Sequence, residues 1–358
     1  MSTEFERMNR EEVGGRMTRR SLLLTLPALV AAPRLSQTLT QAPPSTTPIA
    51  VRNLNHMTLT VKDPKRSIEF YQGLFGMPIQ ARQGATTILR IGNGPQFVAI
   101  NGGPNATPRI DHYCLTVENF DVDRLMKVLA EHGVTPVAAG ATGGGLSGGP
   151  MKSRVRMRGP ESGGAKEGSP EIYFGDPDGI VVQLQDPKYC GGAGVLGELC
   201  LATPEPAPTN GLLAVRDLNH FTIRVSDAQR TNAFYQKLFG LKVRAMQGPT
   251  PGWAIGSGQQ FLMFTAAPVA SAAGVAPPRP PAIDHVCLNM TDFNVDRILK
   301  TLESYSIKLR GTAPGPVGPL MSYVTQRMPN RGGAPEGTPE LYFTDPDGLL
   351  IQLQDVKY

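Results

Sequence analysis

The sequence predicts an α+β protein made of two tandem copies of one domain, each copy built from paired βαβββ modules. Three observations predict it. The stretch Gly163 to Asp186, GGAKEGSPEIYFGDPDGIVVQLQD, returns as Gly332 to Asp355, GGAPEGTPELYFTDPDGLLIQLQD, so that Asp176 and Asp345 of the DPDG turns lie 169 residues apart. A repeat this long means two copies of one folding unit. Within the first copy, an alternating strand followed by an amphipathic helix occurs twice. Gly (40) and Pro (33) are abundant, which suits short strands joined by turns.

The elements follow in order. The first domain is expected over 51–189. Leu54 to Val61 alternates like a strand. Asp63-Pro64 is an N-cap with Pro at the first helical position. Ile68, Tyr71, Leu74 and Phe75 fall on one helical face, and Gly76 ends the helix. Short strands follow near Thr87–Ile91 and Gln96–Ile100. The pattern then restarts with a strand from Ile110 to Val117 and a helix carrying Val122, Leu125, Met126 and Leu129. A Gly-rich loop (140–149), a strand near Lys152–Met157 and a hairpin close the domain. In that hairpin Ile172-Tyr173-Phe174 and Ile180–Gln185 flank Asp-Pro-Asp-Gly, whose residues each favour a tight turn. Residues 190–214 read as a Gly/Pro-rich linker. The second domain, 215–358, repeats the plan from Leu218-Asn219-His220, with an N-cap at Asp227 and a closing hairpin at Leu341–Gln354.

Composition bounds the function. The net charge of +5 over 358 residues is mild, and the Lys and Arg are scattered, which argues against nucleic acid as a partner. No P-loop Lys-Ser/Thr follows the Gly-rich loop, the Gly-x-Gly pairs at Gly92 and Gly256 are strand turns, and the single Trp253 makes no aromatic cage. Residues 1–48 stand outside the fold. A basic segment ending in Arg19-Arg20 precedes an apolar run, Ser21 to Ala32, too short to span a membrane; this is the layout of an export signal followed by linker. Thr18-Arg19-Arg20-Ser21-Leu22-Leu23 resembles a twin-arginine signal, with Leu22 where Phe is usual; a general secretory signal or a lipid-free anchor with an incidental Arg pair is the alternative. The expected location is periplasmic or secreted, with no membrane partner once the signal is removed. Export permits disulfides. Cys190 and Cys200, both in the linker, are expected to pair, whereas Cys114 and Cys287, inside strands, read as buried thiols.

Paired βαβββ modules with F-Y-x-x-L-F-G after the first strand (Phe70–Gly76, Phe234–Gly240) resemble the vicinal oxygen chelate superfamily of glyoxalases, extradiol dioxygenases and bleomycin-resistance proteins. The resemblance covers nearly all of 51–189 and 215–358. It implies a concave mixed sheet in each domain, with a divalent metal held by side chains from the first, fifth and eighth strands. These positions fall on His56, His112 and Gln183, and on His220, His285 and Gln352. Gln stands where the family carries an acidic ligand. Four of the five His occupy these repeat-matched positions; His132 does not. The hairpin also resembles the extradiol dioxygenase signature, with Tyr173 and Tyr342 at the active-site Tyr, but the His that precedes the Tyr in that family is missing. Alternation points Glu171 and Glu340 inward as substitutes for proton transfer, or else as solvated or loop-bonded carboxylates. Thr58, Thr222, Cys114 and Cys287 are expected to pack below the metal, and Gln185 and Gln354 to line the same face.

The expected protein is an exported enzyme, monomeric or homodimeric. It would use Fe(II) or Mn, or alternatively Zn or Ni, on a small substrate that chelates through adjacent oxygens. Extradiol-like dioxygenation leads. A glyoxalase-type isomerase or lyase and a metal-free small-molecule binder are the alternatives.

Overall fold

The fold is that of a computed structural model, which describes residues 47–138, 140–266, 279–311 and 317–358. The expectations for residues 1–48 therefore fall almost wholly outside the described residues. The first domain runs β1 (Val51–Val61), α1 (Pro64–Phe75), β2 (Ile79–Gln83), β3 (Thr86–Arg90), β4 (Phe97–Gly102), β5 (Arg109–Val117), α2 (Val122–Glu131), β6 (Thr135–Pro136), β7 (Lys152–Arg158), β8 (Ser169–Gly175) and β9 (Val181–Gln185). The second repeats it with β10 (Val215–Val225), α3 (Ala228–Phe239), β11 (Val243–Gln247), β12 (Thr250–Ala254), β13 (Phe261–Ala266), β14 (Ala282–Met290), α4 (Val295–Ser304), β15 (Lys308–Leu309), β16 (Met321–Arg327), β17 (Thr338–Thr344) and β18 (Leu350–Asp355).

Each domain forms one open nine-stranded mixed sheet, ordered β2-β3-β4-β1-β5-β9-β8-β7-β6 and β11-β12-β13-β10-β14-β18-β17-β16-β15. The two modules of a domain join edge to edge where β1 pairs antiparallel with β5. The three strands expected to carry a site therefore lie side by side at the centre of each sheet.

Local chemistry sets the element ends. The Asp63 side chain accepts from the Arg66 N–H at the start of α1, and Gly76 ends the helix in the left-handed region at φ 66°. In the first hairpin turn the Asp176 Oδ1 accepts from the backbone N–H of Asp178 and Ile180, both at 2.9 Å. Asp345 does the same for Asp347 and Leu349.

The two domains share one hydrophobic core. The first helix of each lies on the closing hairpin of the other. Phe70 on α1 packs against Phe343, and the Tyr71 hydroxyl donates to Asp345 at 3.2 Å. Reciprocally, Phe234 on α3 packs against Phe174, and the Tyr235 hydroxyl faces Asp176 at 3.4 Å. Burial, opposed by the turn N–H groups, pushes the Asp176 carboxyl up to about 7 and the Asp345 carboxyl up to about 6. Among the described residues no helix is long and apolar enough to cross a membrane.

The segment between the domains is more ordered than a plain linker. It lies along the edge of the first domain. Gln80 donates to the Cys190 carbonyl, Arg158 to that of Gly192, and Ile79 bridges to Glu205. Cys190 and Cys200 form a disulfide within it, and Cys114 and Cys287 are free and buried.

Candidate metal centre

Register brings the site together. His56 on β1 lies opposite Cys114 on β5, and Cys114 lies beside Gln183 on β9. His112, two residues before Cys114, shares their face. Gln183 is on the ninth strand rather than the eighth, because the two-residue strand β6 intervenes.

The two imidazole Nε2 atoms converge on one oxygen. His56 Nε2 is 3.0 Å and His112 Nε2 is 3.1 Å from the Oε1 of Gln183. All three side chains are buried. Their outer nitrogens are held from behind: His56 Nδ1 lies 2.8 Å from Asn55 Oδ1, and His112 Nδ1 lies 3.0 Å from Asp111 Oδ1. Asn55 is fixed in that sense because its amide donates to the Tyr189 carbonyl at 2.9 Å. Each Nδ1 thus carries the proton, and each Nε2 lone pair points inward.

Two β-bulges make this possible. The register of β1 against β5 slips between Leu54 and His56, leaving Asn55 as the extra residue. It slips again at Thr58–Leu59, leaving Asp111 as the extra residue on β5. A bulge re-aims a side chain that plain alternation would send to the other face. Burial, then the neighbouring His112, hold the His56 imidazole well below its ordinary value, so it is neutral at physiological pH. Burial opposes ionisation of Asp111, but His112 and Arg109 outweigh it and hold its carboxyl at about 2.

The arrangement is a cluster of lone pairs. Two imidazole nitrogens and an amide oxygen face one another, and the Gln183 amide nitrogen is buried without a partner. A cation at the centre would satisfy all three donors. No three His, Cys, Asp or Glu side chains gather among the described residues, so a metal held here takes the amide oxygen as its third protein ligand. The set carries no carboxylate, and two imidazole nitrogens with an amide oxygen fit a divalent ion with open positions.

Tyr173 and Glu171 face the same cleft. The Tyr173 ring meets His112 edge-on, centroids 5.5 Å apart, and its hydroxyl donates to Glu171 at 3.1 Å. Burial, then the Glu171 charge, raise the Tyr173 phenol well above its ordinary value, so it keeps its proton. Glu171 also accepts from Arg158 at 2.8 Å and from Tyr189 at 3.2 Å. It is an anchor for three donors rather than a free acid. The Thr58 hydroxyl, expected only to pack, reaches His112 Nε2 at 3.1 Å. Cys114 packs beneath, its thiol pushed up by burial and then by Glu171. Gln185 and Gln354 turn to the carbonyls of Pro170 and Pro339 instead of the site.

The second domain repeats the plan. The His220 and His285 rings stand 5.7 Å apart at 77°, against 5.7 Å at 79° for His56 and His112. Asn219 and Asp284 hold their Nδ1 atoms at 2.6 and 3.0 Å. The Gln352 Oε1 is buried with no hydrogen-bond partner. The Tyr342 ring meets His285 edge-on at 5.4 Å, and Glu340 accepts from Arg327, Thr325 and Tyr358.

Asn55, Asp111, Arg158 and Tyr189 belong to the site and were not singled out from the sequence. A signal for them existed: Asn-His and Asp-His recur in both copies, and Arg158 and Tyr189 return 169 residues on as Arg327 and Tyr358.

The profile of the Glyoxalase/Bleomycin resistance protein/Dioxygenase superfamily matches residues 53–184 and 217–353. No curated protein sequence matches. Among solved structures, the chain is similar to a Mn(II)-bound glyoxalase from Novosphingobium aromaticivorans (16% identity, 86% of this chain and 83% of that one, TM-score 0.55). It is also similar to a catechol 2,3-dioxygenase (16%, 85% and 87%, TM-score 0.52). A third is a tyrosine-to-phenylalanine variant of homoprotocatechuate 2,3-dioxygenase from B. fuscum (15%, 87% and 74%, TM-score 0.56). At such identities these are likenesses of fold. The profile covers both sheets and the strands of the two His-His-Gln clusters, and the chain belongs to the Glyoxalase/Bleomycin resistance protein/Dioxygenase superfamily.

Proposed function

We propose that the chain is an exported metalloenzyme that holds Fe(II) or Mn(II) at His56, His112 and Gln183, and at His220, His285 and Gln352. Its substrate is a small compound with two adjacent oxygens, and extradiol-like cleavage of a catechol-type ring is the leading reaction. One observation carries this reading: in the first domain two Nε2 lone pairs and one amide oxygen converge within 3.1 Å, with both tautomers pinned from behind. The similar glyoxalase is Mn(II)-bound and two similar structures are by name a catechol and a homoprotocatechuate 2,3-dioxygenase, which supports the metal and the substrate class. The Cys190–Cys200 disulfide supports an oxidising compartment, in keeping with the twin-arginine-like Thr18–Leu23.

When bound, the metal supplies Lewis acidity and a template for adjacent oxygens, and a neutral amide ligand leaves it more positive than a carboxylate would. The chain's own residues do the rest. Asn55 and Asp111 aim the two imidazoles. Phe97, stacked on His56 at 4.2 Å, closes the site on one side. Tyr173 keeps its proton, which it donates to Glu171, and presents its hydroxyl oxygen to accept from a substrate O–H beside His112. Glu171 holds Tyr173 in place and is itself held by Arg158 and Tyr189.

Oxygen consumption with catechols tests the reaction. Protein loaded anaerobically with Fe(II) should consume oxygen, and Tyr173→Phe should reduce kcat about 10²- to 10⁴-fold with metal content unchanged. Metal-loaded protein that consumes none with any catechol, but isomerises or cleaves a non-aromatic substrate, would shift the reading to glyoxalase-type chemistry. A second reading has its own observation. Turning the Gln183 amide over would point its unpartnered NH₂ at both Nε2 atoms and satisfy the imidazoles with no metal at all, as in a metal-free binder.

A further inference from the structure

The two clefts have the same ligands but different walls. In the first domain a cavity of about 180 Å³ opens onto His56, His112, Gln183, Tyr173 and Arg156. This is below the roughly 300–1,000 Å³ of sites for drug-sized ligands, so it suits a small molecule. Ala99 on β4 lies beside Thr58 and forms part of its wall. The matching residue in the second domain, beside Thr222, is Met263, buried to 5% exposure. The cavity over Phe261 and Met263 has none of His220, His285 or Gln352 in its lining.

The charge differs as well. Arg156 lies directly across from Glu171 on the cleft face of the sheet. Glu171 is already paired with Arg158, and among the described residues Arg156 has no hydrogen-bond or ion-pair partner; the other carboxylate at the cavity wall is Glu161. In the second domain Thr325 takes the place of Arg156 and gives its hydroxyl to Glu340 at 3.2 Å. Arg154 likewise becomes Tyr323, stacked on Tyr342 with centroids 5.0 Å apart. A small cavity beside a ligand set that contains no carboxylate, with an uncommitted guanidinium at its wall, suits a planar anionic group bound by a fork of N–H donors.

We propose that the first-domain cleft takes a small substrate bearing a carboxylate besides its two adjacent oxygens, that Arg156 binds this carboxylate, and that the second-domain cleft, occupied by Met263 and lacking the cation, does not take it. This rests on the reading of His56, His112 and Gln183 as the substrate-bearing centre.

Calorimetric titration of the Mn(II)-loaded full chain with 3,4-dihydroxybenzoate and with catechol tests it. The expected result is one equivalent of 3,4-dihydroxybenzoate per chain, bound at least ~10-fold more tightly than catechol. Arg156→Gln should remove that advantage and leave catechol binding unchanged, Arg156→Lys should restore part of it, and Ala99→Met should abolish binding of both. An Arg156→Gln chain with unaltered preference for the carboxylate, or two equal sites per chain, would overturn the inference while leaving the metal centre intact. If His56→Ala binds both probes as the unaltered chain does, the underlying reading fails, and the inference with it.

Discussion

Asn55 and Asp111 decide what His56 and His112 can do. An imidazole with a free Nδ1 could present either nitrogen to the cleft; here an acceptor behind each ring leaves only the Nε2 lone pair facing inward. The expected consequence is that Asp111→Ala and Asn55→Ala each weaken Mn(II) binding about 10- to 100-fold, measured by competition with a chelator, while near-ultraviolet circular dichroism stays unchanged. Equal affinities would show that the rings are oriented by packing alone. That His56, His112, Gln183, Tyr173 and Glu171 would gather was legible in the sequence, because the resemblance names the ligand and Tyr positions and the repeat and strand alternation put them on one face. Asn55 and Asp111 were not, because alternation sends the residue before each His to the opposite face, and only the bulges bring it back.

At the scale of elements, the DPDG hairpin has two tasks. Its first Asp folds the turn and also meets a tyrosine of the other domain. Because burial raises the Asp176 carboxyl to about 7 in the fold, against an ordinary value near 3.8, the folded state binds the extra proton between these values. Its contribution is therefore most favourable below pH 4 and is lost as pH rises through 7. Buried neutral His56 and His220 act in the opposite direction below pH 6.5, so the effect is isolated by difference. Relative to the unaltered chain, Asp176→Asn should gain thermal stability progressively from about pH 4 to about pH 7 and no further above that; a difference independent of pH would refute the assignment. The hairpins and first helices were legible from turn and cap residues. The docked segment 190–205 was not, since it is held largely through backbone groups, to which composition is blind, with a side-chain ion pair from Arg82 to Glu205. Closing it with Cys190–Cys200, ten residues apart, should stabilise the fold by about 2–3 kcal/mol by loop entropy. Denaturant unfolding of Cys190→Ser/Cys200→Ser should show that loss, and unchanged stability would contradict it.

At the scale of the molecule, the two domains form one compact unit, although the sequence reads as two domains. Phe70, Tyr71 and Phe75 of the first domain and Phe234, Tyr235 and Phe239 of the second pack against the partner hairpin or within the shared core. Such a continuous apolar interface couples domains that a polar one would leave independent. Calorimetry should therefore give one unfolding transition with matching calorimetric and van't Hoff enthalpies; two resolved transitions would mean separable domains. The repeat made the tandem plan legible, but the crossed helix-on-hairpin packing is a property of pairing that neither copy shows alone.

The central claim is that the two His-His-Gln clusters hold metal. Its most direct test is elemental analysis of mature protein purified without oxygen or chelators and loaded anaerobically with Fe(II) or Mn(II), beside His56→Ala/His220→Ala. About two tightly held divalent ions per chain are expected, both lost in the double variant. Protein that retains no metal after loading, or retains it equally in the double variant, would contradict the claim.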